Sequence, residues 1–274
     1  LSSIVIPDGV TRIGYTVFRD CILLESIEIP NSVTEMGDGV FLNCTSLKTV
    51  QFSENINKIP KDTFKGCSSL KEADFSECTI STIGYESFAG CTSLQSVALH
   101  ETLSEIGERS FQDTAIKTIE FGKNFKASKV DNISCMFYCC SSLISLDLSS
   151  FNTSNVTNMD HTFESCTSLT DISALNSWTD APVTNLSYTF ANCSSLTNVL
   201  IPNSVKSIDN SAFYGCSNLT SLNLSTNLET GAWDVSNVTT MYHMFADCKS
   251  LTTLNMKGWN TESLTNMDGI FNNC

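Results

Sequence analysis

Little in this chain would interrupt a regular structure. Five prolines and thirteen glycines among 274 residues leave little room for a disordered segment. No apolar run reaches the roughly 18 residues that a membrane-spanning helix requires. No charged-then-apolar leader opens the chain, so no signal peptide is visible. Histidine occurs only three times, and basic residues are few: 15 Lys and Arg stand against 29 Asp and Glu, a formal charge of −14. So acidic a chain repels nucleic-acid phosphates and anionic lipid, which makes both poor partners. Glycine-rich phosphate loops, a nucleophile elbow and a Cys-His pairing are all missing. The sequence therefore predicts no enzyme, no cofactor and no metal.

What fills the chain instead is one phrase, Phe-x-x-Cys-x-x-Leu. It recurs at Phe18, Phe41, Phe64, Phe88, Phe137, Phe163, Phe190, Phe213 and Phe245, with a variant at Phe111/Thr114 and a shortened copy at Phe271/Cys274. A fixed short period means stacked coils rather than a globule around one cleft. The period predicts a single solenoid over residues 1–274 with about 11 coils. Short coils of 23 residues cover 1–121 and 191–213, and long coils of about 26 cover 122–190 and 214–274. Both ends read as cuts through a longer array.

Each coil carries a strand signal. In Leu24-Glu-Ser-Ile27-Glu-Ile29 the last apolar residues alternate with polar ones, as in a short strand with one buried face. Copies of this phrase predict one parallel sheet of short strands. The return path carries apolar residues five and eight before the next Phe in short coils, and four, seven and twelve before it in long ones. The stretch ending in Phe-x-x-Cys reads as a single helical turn, with Gly14, Gly37, Gly84 and Gly107 suited to the chain reversal into it.

The tempting residues have structural readings beside the functional ones. Ten of thirteen cysteines share one repeat position, which fits a stack of buried thiols. A ladder of disulfides is the alternative. Cys78, Cys135 and Cys139 fall outside that position. Trp178, Trp233 and Trp259 occupy the same slot as Phe125 and Phe151, which argues for core packing over a sugar platform. His161 and His243 share a slot but lie three coils apart, too far to share an ion. Sequons such as Asn43 and Asn192 matter only in a eukaryotic source. The insertion 225–231 and the cluster Lys117, Lys123, Lys126 and Lys129 depart from the pattern and are secondary candidates for binding.

Two phrases resemble a known family. Cys21 to Val33 and Cys193 to Val205 carry Cys-x-x-Leu-x-x-Ile/Val-x-Ile-Pro-x-x-Val, which resembles the BspA-like leucine-rich repeat. Leu146 to Met159 resembles a repeat of bacterial surface lipoproteins that is found beside it. The resemblance implies a leucine-rich-repeat solenoid, right-handed and of the α/β horseshoe class, with the strands on the concave face and irregular or short-helical return arcs on the convex face. It further implies a secreted or cell-surface protein, with no shared catalytic residues to carry over. On that reading the chain is a monomer that adheres to an extracellular host or microbial protein, with no membrane insertion in this segment. A structural spacer and a carbohydrate-binding module are the alternatives. The outward strand rows supply the candidate site: Glu28, Lys48, Gln51, Lys71, Asp74, Lys117, Glu120, Asp147, Asp171, Asn198, Asn223 and Asn255.

Overall fold

A computed structural model describes residues 1–119, 130–146, 154–173, 175, 178, 181–201, 208, 210–224, 238–256 and 259–274. The chain divides into two compact units. Unit 1 is Leu1–Val130 with Ser150–Asn152, and unit 2 is Asp131–Ser149 with Thr153–Cys274. In both, parallel strands stack coil on coil into a β-solenoid of the leucine-rich-repeat class. The strands in chain order are β1 (Arg12–Ile13), β2 (Ser26–Glu28), β3 (Glu35–Met36), β4 (Thr49–Gln51), β5 (Lys58–Ile59), β6 (Glu72–Asp74), β7 (Thr82–Ile83), β8 (Ser96–Ala98), β9 (Glu105–Ile106), β10 (Asn198–Ile201) and β11 (Ser221–Leu224). No α-helix and no helix long and apolar enough to cross a membrane occurs among the described residues.

The Leu-x-x-Ile phrase forms the strands it predicts. Pairing is parallel and in repeat register: β2 joins β4 with Glu28 beside Gln51, β6 joins β8 with Asp74 beside Ala98, and β10 joins β11. Two features differ from the sequence reading. The return arc carries strands of its own, with β1 joined to β3 and β5-β7-β9 forming a second ladder. Both ladders of unit 1 are also interrupted at the same joint, between β3 and β5 and between β4 and β6. Side chains bridge that joint: Ser53 Oγ donates to the Val33 carbonyl at 2.8 Å and Asn55 Nδ2 to the Asn31 carbonyl at 2.8 Å.

The Phe-x-x-Cys segment is a run of turns, not a helical turn. The residue two before each repeat Phe and the residue two after it both have positive φ, from Thr16 and Asp20 in the first coil to Gly269 and Asn273 in the last. Alternating handedness aims every second N–H at the following coil. The amides of Thr16, Phe18 and Asp20 donate to the carbonyls of Asp38, Val40 and Leu42 at 2.8–3.0 Å. In unit 2, His161, Phe163 and Ser165 donate to Ser187, Thr189 and Ala191 at 2.8–2.9 Å. These bonds continue across the interrupted joint, from Gly39, Phe41 and Asn43 to Lys61, Thr63 and Lys65.

Gly37, Gly84 and Gly107 do not serve the reversal through a left-handed backbone, since none has positive φ. Their role is close approach. A Cβ on Gly84 would lie 2.5 Å from the Lys61 nitrogen, and one on Gly107 would lie 2.5 Å from the Tyr85 nitrogen.

The core is a set of columns. Phe rings stack at 5.3–5.6 Å from Phe18 to Phe111 in unit 1 and at 5.6–5.9 Å from Phe137 to Phe271 in unit 2, within 19° of parallel. Leu24, Leu47, Leu70 and Leu94 form a buried column beside the rings. Trp178 is buried, as core packing requires, and Trp259 is half-buried. Trp233, Phe125 and Phe151 lie outside the described residues.

All thirteen cysteines are free thiols. Those of the repeat position from Cys44 to Cys91 and from Cys166 to Cys274 donate Sγ–H to the Phe carbonyl of the preceding coil at 3.0–3.1 Å. That carbonyl already accepts the N–H of its own coil's cysteine. A thiol is thus small enough for the joint and still a donor. Thr114, which fills this slot in the fifth coil, donates instead to its own Phe111 at 2.9 Å. The three remaining cysteines have places too. Cys78 fills the extra residue of its coil, buried and 3.6 Å from the Ser53 carbonyl, while Cys135 and Cys139 take the two positive-φ positions around Phe137.

Burial pushes the Cys44 thiol up to about 11 and that of Cys248 up to about 12, and raises Cys67, Cys166 and Cys216 for the same reason. Iodoacetamide at pH 8 is therefore expected to label exposed Cys274 in the native chain and to leave Cys67, Cys166 and Cys216 unmodified until denaturant is added. Mass spectrometry that finds these three alkylated as fast as Cys274 would remove the column. Because folding raises these values, the thiols contribute full stability below the ordinary thiol range, about 8.5. That contribution declines as pH rises from there through the folded values.

Candidate binding surface

Alternation along each strand sends every second side chain outward, and register sets these in rows. The described candidates Glu28, Lys48, Gln51, Lys71, Asp74, Lys117, Asp171, Asn198 and Asn255 are all exposed. Neighbouring coils bring Glu28 beside Gln51 in unit 1, and in unit 2 Asp171 beside Ser145 and Asn198 beside Ser221. Glu120, Asp147 and the side chain of Asn223 lie outside the described residues, as do segment 225–231 and the cluster lysines Lys123, Lys126 and Lys129.

The electrostatics of this face are those of a wet surface. Lys48 Nζ donates to Glu25 Oε2 at 2.8 Å across one coil step, and this bond and charge hold Glu25 below the usual carboxylate range. Asp74 accepts the Ser76 N–H at 2.9 Å, which lowers it as well. Hydroxyls of Thr170 and Thr220 turn onto the carbonyls of Ile144 and Thr197 at 3.3 and 3.0 Å, so part of the Thr row is spent on the ladder. Exposed ion pairs of this kind contribute little to stability. The pattern is charged in unit 1 and mostly amide or hydroxyl in unit 2, where Asp171 adds a carboxylate.

A shallow groove of about 590 Å³ lies beside the return arc of unit 1, between β3 and β5. Arg12 lies over the Tyr15 ring at 5.8 Å and pairs with Glu35 at 3.6 Å within it. The turns carry a third set of polar groups that the reading of strand rows missed. Lys65 bonds Glu86 and lies 3.8 Å from Asp62, and Lys61 lies over Tyr85 at 5.3 Å. Burial raises Asp62. It acts the same way on Glu86, where the Lys65 and Tyr85 hydrogen bonds outweigh it and leave the carboxyl lowered.

His161 stands in unit 2 between Glu164, which meets Nδ1, and Asp160, 3.4 Å from Nε2. The carboxylates meet opposite ring nitrogens and do not converge on one point. No group of three metal-ligating side chains occurs among the described residues.

Comparison with known proteins follows the repeat. The model for the "BspA type Leucine rich repeat region" matches residues 1–81 and 183–274 in six copies, more than half of the chain. A second, "Mycoplasma protein of unknown function, DUF285", matches residues 106–226. Among solved structures, the chain is similar to the leucine rich repeat protein of T. pallidum, at 25% identity over 71% of this chain and 78% of that one, with a TM-score of 0.46. It is similar to a leucine rich cell surface protein of Faecalibacterium prausnitzii, at 23% identity over 94% and 86%, with a TM-score of 0.43. A third is the pneumococcal vaccine antigen PcpA, at 16% identity over 88% and 70%, with a TM-score of 0.44. No curated protein matches the chain.

Proposed function

From the premise that this chain belongs to the BspA-type leucine-rich-repeat family, we propose that it is a non-enzymatic binding protein of a bacterial cell surface. It adheres to an extracellular protein through its strand rows and acts as a monomer. The observation that carries this reading is the register of the outward side chains. Glu28 beside Gln51 and Asn198 beside Ser221 repeat the same presentation from coil to coil, which a long partner can follow.

The rows hold no Trp, Tyr or Arg, the side chains that dominate strong interfaces. Single-site contact is therefore weak, and adhesion comes from many sites together. Multivalent display is expected to tighten binding by about 10²–10⁴-fold over the single chain.

Solid-phase binding to extracellular-matrix proteins tests the proposal. Asp171→Ala combined with Asn198→Ala, and Lys48→Ala combined with Lys71→Ala, are expected to reduce binding at least tenfold. Retention of full binding by both pairs would sink the strand-face assignment. Failure of the wild type to bind any such protein, even when multivalent, would favour a spacer that displays another domain.

A further inference from the structure

The chain has six tyrosines, and all six stand at three positions around the repeat Phe. Tyr15, Tyr85 and Tyr242 lie three before it, Tyr188 two before it, and Tyr138 and Tyr214 one after it. His161 and His243, two of the three histidines, lie two before it. All these side chains are exposed or half-buried. In unit 2 they are consecutive. The five coils of Phe137, Phe163, Phe190, Phe213 and Phe245 each place at least one ring on this turn edge, at steps of 5.6–5.8 Å. Rings touch along it: His161 stacks on Tyr188 at 4.8 Å, Tyr138 meets His161 edge-on at 6.3 Å, and Tyr242 stacks on His243 at 4.2 Å.

Closing the coil joints does not account for these rings. The position after Phe holds Ala89, Ala191 and Ala246 in other coils, and those joints make the same inter-coil hydrogen bonds. Tyrosine is a costly choice for an exposed edge unless it meets a partner, since it offers large contact area at low conformational entropy. The charge on the edge names the partner's sign. The positions three and two before Phe and one and two after it, in these five coils, hold Asp160, Glu164 and Asp247 and neither Lys nor Arg. The same positions in unit 1 mix Arg19, Lys61, Lys65 and Arg109 with Asp20, Asp38, Asp62, Glu86, Glu108 and Asp113, so only the unit 2 edge is without Lys and Arg.

We infer that the turn edge of unit 2 is a second binding surface, distinct from the strand rows, and that it takes an extended polypeptide segment carrying arginine. Guanidinium presents a planar fork of N–H donors to carboxylates and to phenol oxygens, which a point-like ammonium matches less well. At about 3.3 Å per extended residue, about seven residues run the length of the five coils. His161 stacks on Tyr188 and Tyr242 on His243, so these rings offer edges and hydroxyls along the row. That arrangement suits peptide better than a sugar ring.

Fluorescence anisotropy with labelled octa-arginine and octa-lysine peptides, titrated with the full chain in 0.15 M salt, tests this. Octa-arginine is expected to bind at least fivefold more tightly than octa-lysine. Tyr188→Ser combined with Tyr214→Ser should weaken it at least tenfold, while Asp171→Ala combined with Asn198→Ala changes it less than twofold. That control separates this surface from the strand face, so either assignment can fail alone. Should the serine pair unfold the unit, Tyr188→Phe combined with Tyr214→Phe decides: a loss of threefold or more supports the edge, and no loss overturns it. Equal affinity for the two peptides, or equal loss from the strand-face pair, would reduce the effect to general attraction by an acidic chain and overturn the inference.

Discussion

Replacing Phe88 with alanine is expected to destabilise unit 1 by about 3–5 kcal/mol, the range for deleting a buried aromatic side chain. The ring is fully buried, with Phe64 at 5.3 Å on one side, Phe111 at 5.6 Å on the other and Phe75 edge-on at 6.1 Å. Its loss leaves a void that the neighbours cannot close, because the turn hydrogen bonds hold each coil at its own height. Each stacked contact adds about 0.5–1.5 kcal/mol beyond burial, and two disappear at once. Phe271 has the same sequence position but is 42% exposed, so Phe271→Ala should cost about 1 kcal/mol or less. Urea denaturation of both variants checks the contrast. Near-equal losses would mean that the column does not carry the stability assigned to it.

Gly84→Ala should be nearly as damaging, at about 3 kcal/mol, the upper end for a forced insertion. The added Cβ falls 2.5 Å from Lys61 N and 2.7 Å from the Pro60 carbonyl carbon, and both are backbone. Gly14 is the internal control. It has the same repeat position, and a Cβ there meets nothing nearer than Val17 Cγ2 at 3.8 Å. Neither glycine has positive φ, so backbone conformation does not separate them. Gly14→Ala is expected to fall within about 0.5 kcal/mol of wild type. A thermal midpoint for Gly84→Ala matching that of Gly14→Ala would refute the close-approach role.

The columns were legible because they depend on side-chain type at a fixed interval. Phe, Cys and Leu each recur where the structure stacks them, and alternation at Ile27, Val97 and Val199 marks the strands. The return-arc ladder was not legible. Its strands in unit 1 are two residues long, such as Arg12–Ile13, too short to show alternation. The turn conformation was half-legible. Asn43, Gly66, Gly90, Asn192 and Gly215 follow Phe by two and tolerate positive φ. The matching position before Phe holds Thr16, Glu86, Arg109, His161 and Tyr188, which give no such signal, because stacking imposes their conformation. The close-approach role of Gly84 and Gly107 is not legible in the sequence. A close contact between coils leaves no trace in a single repeat, whereas a reversal is a local property. The described strand-row candidates are exposed, as alternation requires, whereas the tyrosines line up across turns rather than along strands, where no strand period marks them.

The forward-pointing amides have an electrostatic consequence. In the repeat turns of Phe18 to Phe88 in unit 1 and of Phe137 to Phe245 in unit 2, the peptide groups entering the residue two before Phe, the Phe itself and the residue two after it are aligned along the stacking direction. They chain from coil to coil, as carbonyl-to-amide chains run through an α-helix. Peptide moments in adjacent β-strands largely cancel, but these add, and linked chains polarise one another. Within each unit the stack is therefore a long macrodipole, partly positive toward its later coils and partly negative toward its earlier ones. The sense is opposite to that of a helix, whose amino-terminal end is the positive one.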